Sequence, residues 1–141
     1  MTAVLGNGMT TDAQLTKVGK RYLGSDYIGT FSVDVKKSTL DRLKGSKTQY
    51  YFIINVDKKY ESGSHWLAIA KLKDNPKYII YDSFARRSPR LIPAFIKTIG
   101  YKYIDINGKS DQLDHEKNCG ARALSILRFI KSHGLPAAKL V

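Results

Sequence analysis

The residues most suited to chemistry in this sequence are one cysteine and one histidine, far apart along the chain. Cys119 is the only cysteine, and it stands where the polar segment 107–118 gives way to an apolar, helix-like segment. A helix N-terminus lowers the pKa of a thiol, because the positive end of the helix dipole favours the nucleophilic thiolate. His65 precedes Trp66 at the start of an apolar run and is suited to act as a general base. Taken alone, each is more typical of an ordinary core residue than of a catalytic one.

Two further residues extend this pair toward a catalytic set. Asp82 directly follows the apolar run YIIY at 78–81. In an antiparallel hairpin the start of one strand lies beside the end of the next. His65 and Asp82 are therefore expected at one edge of a sheet, where the carboxylate would orient the imidazole. Gln112 precedes Cys119 by seven residues, and its amide with the Cys119 backbone N–H would form an oxyanion hole. A solvated loop residue is the alternative for Gln112.

The elements that must position these residues are predicted from hydrophobic periodicity. Strands are predicted over residues 49–56, 65–72, 77–84 and 101–106, and helices over residues 11–24, 38–45, 88–98 and 119–134. Ser38 is expected to cap the second helix and Ser88–Pro89 to begin the third. Residues 26–35 indicate a loop with short extended pieces. The pattern predicts an α+β fold with one central, mixed but mostly antiparallel sheet flanked by helices, and the nucleophile at the N-terminus of a buried helix.

Length and composition favour one folded domain. The chain has 141 residues, 43% of them hydrophobic, which predicts a single domain over residues 1–141 with a flexible arm at residues 1–10. One cysteine forms no internal disulfide, so an intracellular or virion setting is expected. No signal peptide and no membrane span are predicted. Zinc is not expected, because His115 and His133 are interpreted as surface residues and further ligands lie far away in sequence.

The charge indicates a polyanionic partner. Lysine and arginine number 24 against 12 acidic residues, which gives a net charge of +12. Such a balance favours nucleic acid, although a lysine-rich solvated surface is the alternative. Candidate contacts are the basic residues within 17–21, 36–47, 58–59 and 86–90.

The combination of motifs resembles the adenovirus-type (adenain-like) cysteine proteases, which share a core with the proteases of ubiquitin-like proteins. The resemblance covers about residues 26–129 and is carried by four stretches in register. They are YIGTF at 27–31, FIINVDKKYESGSHWLAIA at 52–70, YIIYDSF at 78–84 and QLDHEKNCG at 112–120.

The resemblance implies a role for each matching residue. Cys119 would be the nucleophile, His65 the base, Asp82 the orienting acid and Gln112 the oxyanion donor. Gly63 and Trp66, in the G-x-H-W element, would bind substrate, with Trp66 as one wall of a channel narrow enough to prefer glycine. Core packing is the alternative for Trp66.

Two departures from the family pattern narrow the expectation. The acidic member is Asp82, where the adenovirus enzymes themselves have glutamate. Those enzymes are activated by a peptide joined through a disulfide, and here the only cysteine is the expected nucleophile. A chain of this kind looks more like the protease of a virophage or Polinton-like element.

The function implied is a viral maturation endopeptidase that cuts capsid or core precursor proteins at glycine-containing sites. No chemical cofactor is required; DNA and an activating peptide held without a disulfide are the expected activators. The enzyme is expected to be a monomer that binds DNA without sequence preference and does not bind membranes. Its expected location is the virion and the host cell interior, in a viral factory or the nucleus. Two alternatives remain open: a deconjugating protease for ubiquitin-like modifiers and a non-catalytic basic DNA-binding module.

Overall fold

The computed structural model describes residues 12–55, 66–81, 92–106 and 119–134, and the predicted N-terminal arm lies outside these ranges. The described helices are α1 (Asp12–Leu23), α2 (Lys37–Lys44), α3 (Pro93–Thr98) and α4 (Cys119–His133). The described strands are β1 (Tyr27–Ser32), β2 (Tyr50–Asn55), β3 (Trp66–Lys71), β4 (Tyr78–Tyr81) and β5 (Tyr103–Asp105). None of the helices within these ranges is long and apolar enough to cross a membrane.

The strands form one five-stranded mixed sheet in the order β1-β2-β3-β4-β5. The central pairs β2–β3 and β3–β4 are antiparallel, whereas the outer pairs β1–β2 and β4–β5 are parallel. The predicted α+β class and mixed sheet are confirmed. The expected excess of antiparallel pairing is wrong for the described strands, because both outer strands pair in parallel with their neighbours.

Strand β1 was predicted to be mostly loop, and its central glycine explains the error. Gly29 has a positive φ of 147° and marks a register shift in the pairing with β2. A Cβ added there would lie 2.9 Å from the ring of Phe31, so β1 requires glycine at this position. Glycine has a low strand propensity, which weakens the pattern by which a strand is predicted from sequence.

Helices cover both faces of the sheet, which explains why its central strands are almost continuously apolar. Packed together on one face, with α1 and α4, are Tyr51, Ile53, Trp66, Ala68, Ala70, Ile79 and Tyr81. Packed together on the other, with α2 and α3, are Tyr50, Phe52, Ile54, Leu67, Ile69 and Ile80. Because side chains alternate along a strand, each central strand contributes to both cores.

Two helix starts differ from the sequence prediction. Helix α2 begins at Lys37, and its N-cap residue Lys36 makes no side-chain capping hydrogen bond, so Ser38 is not the cap. Helix α3 begins at Pro93, because Ile92 before it has the non-helical angles φ −132° and ψ 49°. The predicted helix over 88–98 is therefore wrong at Ile92, and its expected start at Ser88–Pro89 lies outside the described residues.

Candidate active site

Cys119 is the first residue of α4, as the change from polar to apolar sequence predicts. Its backbone is described. The buried face of the helix is also confirmed, through Ala121, Ala123, Leu124, Ile126, Leu127 and Ile130. Residue 119 therefore begins a 15-residue helix that packs against the sheet, which places it at the positive end of that helix's dipole.

The direction of α4 relative to the sheet follows from its last turns. Lys131 Nζ donates a hydrogen bond of 2.7 Å to the carbonyl oxygen of Leu23, the last residue of α1. The single 3₁₀ turn Gly24–Asp26 then connects Leu23 to Tyr27, the first residue of β1. The C-terminal part of α4 therefore lies near the start of β1.

Strand pairing carries this relation across the sheet. Tyr27 pairs with Tyr51, and Tyr51 pairs with Ala70 near the end of β3. Helix α4 consequently runs in the same direction as β3, so Cys119 and Trp66 begin these two elements at the same end of the sheet. Helix α4 rises about 18 Å before Lys131 and β3 about 13 Å before Ala70, so the helix is long enough to span the strand.

A second contact fixes the same orientation. The guanidinium of Arg128 lies 4.8 Å from the ring centroid of Tyr22, in the last turn of α1. The C-terminal turns of α1 and α4 therefore lie side by side, in agreement with the Lys131–Leu23 contact.

The end of the sheet at which Trp66 lies is named here the Trp66 edge. Asn55, the last residue of β2, pairs with Trp66 and also with Ser32, the last residue of β1. Tyr81, the last residue of β4, pairs with Ala68 on β3. The start of β3 and the end of β4 thus meet at this edge, as the hairpin argument predicts for the residues that flank them.

The structure describes only some of the residues predicted for the site. His65, Asp82, Gln112 and Gly63 lie outside the described residues, and so does His115. Their roles stay predictions. His133 is exposed, with its ring stacked at 4.5 Å on Phe129, so its interpretation as a surface residue is confirmed.

Trp66 belongs to the core that α4 covers. It is 3% exposed and packs in one cluster with Ala68, Tyr81 and apolar residues of α4 such as Leu124. Core packing therefore accounts for the described surroundings of Trp66, and this core joins α4 to the start of β3.

Two residues near this edge were not singled out from the sequence. The Asn55 Oδ1 atom is buried, and no described residue donates a hydrogen bond to it. A buried acceptor of this kind needs a donor, and the sequence signal was an asparagine at the end of an apolar strand. Arg122, partly buried one turn after Cys119, adds positive charge near the helix start.

Among the described residues, no group of three or more His, Cys, Asp or Glu side chains is arranged to hold a metal ion. In comparisons with known proteins, no family model matches the chain and the search of curated proteins gives no match.

Proposed function

We propose that the chain is a cysteine endopeptidase with an adenain-like core and a Cys119–His65–Asp82 triad. The observation that carries the proposal is the common position of three element ends. Helix α4 begins at Cys119, β3 begins at Trp66 and β4 ends at Tyr81, all at the Trp66 edge.

Chain connectivity supports the other two triad members. His65 directly precedes Trp66, and Asp82 directly follows Tyr81. Consecutive Cα atoms are about 3.8 Å apart, so both residues start from the edge at which the helix carrying Cys119 begins. A nucleophile, a base and an orienting carboxylate at one edge are what acyl transfer through a thioester requires.

The proposed mechanism assigns one step to each group. His65 accepts the thiol proton of Cys119, and the thiolate attacks the carbonyl carbon of the scissile peptide bond. The Gln112 amide and the Cys119 backbone N–H hold the resulting oxyanion. Protonated His65 then donates its proton to the leaving amine as the C–N bond breaks, which leaves a thioester. Water, deprotonated by His65, hydrolyses the thioester and restores the thiol.

The proposed substrates are viral capsid or core precursor proteins cut at glycine-containing sites, where a narrow channel lined in part by Gly63 would exclude larger side chains. The net charge of +12 supports DNA as a partner and activator, since a protease held on a packaged genome meets bound substrates more often. We place the enzyme in the virion and in the infected host cell.

Cleavage of a fluorogenic Leu-x-Gly-Gly peptide, with and without DNA, tests the proposal. Cys119→Ala and His65→Ala should each abolish turnover. His133→Ala is the matched control, because His133 is exposed at the far end of the same helix, and it should retain full activity. If His133→Ala lost activity and His65→Ala kept it, His65 would be excluded as the base.

The acidic member is tested in the same assay. Asp82→Asn should lower kcat by a factor on the order of 10³–10⁴, since it disturbs the tautomer and orientation of the base. Asp74→Asn is its control, because Asp74 is exposed in the turn after β3 at the opposite end of the sheet.

The other function classes correspond to distinct outcomes of these assays. Cysteine-dependent cleavage of a modifier–protein conjugate, with none of capsid peptides, would identify a deconjugating protease. If no substrate is cleaved with or without DNA, and Cys119 is alkylated at the rate of an ordinary thiol, the chain is a non-catalytic basic module.

A further inference from the structure

A cavity of about 320 Å³ lies at the opposite end of the sheet from Trp66, between α2 and the turn after α3. Its lining includes three lysines, Lys37, Lys97 and Lys102, together with Tyr78 and the backbone at Gly100. These three lysines are named here the lysine cradle. Lys97 and Lys102 lie outside the basic ranges that the sequence suggested as contacts.

The charge of the cradle is strongly positive. Within the described ranges, its one ion pair joins Lys37 Nζ to Asp41 Oδ2 at 2.7 Å, while Lys97 and Lys102 pair with no described carboxylate. All three lysines are exposed. The cradle therefore keeps a net charge of about +2 after Asp41 is counted, which suits the oxyanions of a phosphate group.

More positive charge surrounds the Tyr50–Tyr78 pair behind the cavity. The hydroxyls of these two tyrosines are 2.5 Å apart, and Lys44 Nζ lies 5.8 Å from the Tyr50 ring centroid. Burial, followed by the like charge of Lys44, lowers the pKa of Lys71. Lys44 and Lys71 therefore add positive charge beside the tyrosine pair, which favours an anion nearby.

Tyr101 lies between two residues that line this cavity, Gly100 and Lys102, and has an unusual conformation. It is 69% exposed and has a φ of +61°, the one positive φ among the described non-glycine residues. Its N–H bonds to the Ile96 carbonyl and that of Gly100 to the Lys97 carbonyl, each at 3.0 Å, which is the Schellman pattern of a helix end. The helix end therefore holds a bulky aromatic ring outward at a conformational cost.

We infer that the lysine cradle and Tyr101 form a binding site for single-stranded nucleic acid, with a backbone phosphate in the cradle and a base stacked on the Tyr101 ring. A positively charged groove beside an exposed aromatic ring is the combination that binds single strands without sequence preference. The inference rests on the proposed nucleic-acid partner and names its surface. A strand bound there would leave the Trp66 edge open to a polypeptide.

The inference is tested by the fluorescence anisotropy of a labelled oligothymidylate of about 12 nucleotides, titrated with Cys119→Ala protein so that catalysis plays no part. The cradle variant Lys97→Gln/Lys102→Gln should weaken binding roughly tenfold and reduce the slope of log K against log salt by about 1.4. Lys17→Gln/Lys20→Gln removes the same charge from exposed lysines of α1, on the other face of the sheet, and tests the competing candidate range 17–21 that the sequence suggests. This control should weaken binding less than about threefold.

Stacking is tested separately with Tyr101→Gly, which removes the ring and suits the positive φ, so the turn is preserved. Binding of the single strand should weaken at least about fivefold, while binding of a duplex of the same length should stay within about twofold. Equal losses in the cradle and α1 variants, or an unchanged affinity for the single strand in Tyr101→Gly, would overturn the inference. If Cys119→Ala protein with no other substitution did not bind the oligonucleotide, both the site and the nucleic-acid partner would be overturned. Peptide cleavage would still test the protease proposal by itself.

Discussion

Lys131, in the last turn of α4, reaches the backbone of Leu23 at the end of α1, where its ammonium donates a hydrogen bond of 2.7 Å to the carbonyl oxygen. The two residues are 108 positions apart in sequence. This contact links the C-terminus of the helix that Cys119 begins to the C-terminus of α1, one 3₁₀ turn before the sheet's first strand. It thereby determines which end of the sheet the N-terminus of that helix meets.

Removing the Lys131 ammonium should destabilise the fold. Lys131→Met keeps most of the side-chain length and the helix propensity but leaves the Leu23 carbonyl without this charged donor. We expect the free energy of unfolding to fall by about 1–2 kcal/mol, measured by urea denaturation. Lys17→Met, which removes one charge from an exposed position of α1, should change it by less than about 0.5 kcal/mol. A Lys131→Met effect no larger than this control would show that the contact does not hold the helix.

The thiol of Cys119 should be unusually reactive. It belongs to the first residue of a 15-residue helix, where the helix dipole favours the thiolate, and Arg122 one turn later adds to the effect. Because the chain has one cysteine, the thiolate absorbance reports this residue alone. We expect the thiolate to form at a pH below the ordinary range of about 8.5, and Arg122→Gln to shift its formation to higher pH. Formation at the ordinary pH in both proteins would argue against a catalytic thiol.

The sequence predicted the centre of the fold better than its margins. The runs that became β2, β3 and β4 are continuously apolar, because both faces of these strands are covered, and their pattern needs no distant information. Strand β1 was missed, since Gly29 interrupts its apolar run for a reason that is visible only in the packing of Phe31.

The site was predictable to the same extent. The start of α4 at Cys119 follows from a local change in polarity, and the meeting of the β3 and β4 ends follows from antiparallel pairing. The direction of α4 does not follow from any local pattern, because it depends on the contact that Lys131 makes with a residue distant in sequence. The conformation of Tyr101 was equally unpredictable from the sequence, since nothing in YKYIDI marks its first residue as left-handed.

Alkaline conditions should destabilise the fold through buried tyrosines. Burial, followed by the nearby Asp26 carboxylate, raises the pKa of Tyr51 to about 12 from 10.0. The unfolded chain loses this proton first, so stability is fully present below pH 10 and falls as the pH rises from about 10 toward 12. For Tyr51 the loss approaches about 2 kcal/mol, measured as the urea unfolding free energy against pH.

Two variants separate this effect from the titration of lysines. Tyr51→Phe should flatten the decline above pH 10, although it also removes the acceptor of the 2.9 Å hydrogen bond from Gln49 Nε2. Tyr101→Phe should leave the decline unchanged, because that ring is 69% exposed. Identical slopes in the unsubstituted protein and Tyr51→Phe would mean that Tyr51 ionises as freely in the fold as in the unfolded chain.

Gly19→Ala should destabilise the protein, although the same change at an exposed helical position would stabilise it by about 1 kcal/mol. A Cβ at position 19 would lie 2.6–2.7 Å from the Tyr27 ring, which is 1% exposed and whose hydroxyl bonds to Thr30 Oγ1 at 2.7 Å. The ring is held at both ends, so relief requires α1 to move away from the sheet. We expect a net loss of about 1–2 kcal/mol in unfolding free energy. In the background Tyr27→Leu, where the ring is absent, Gly19→Ala should instead be neutral or stabilising, and equal effects in both backgrounds would contradict the clash.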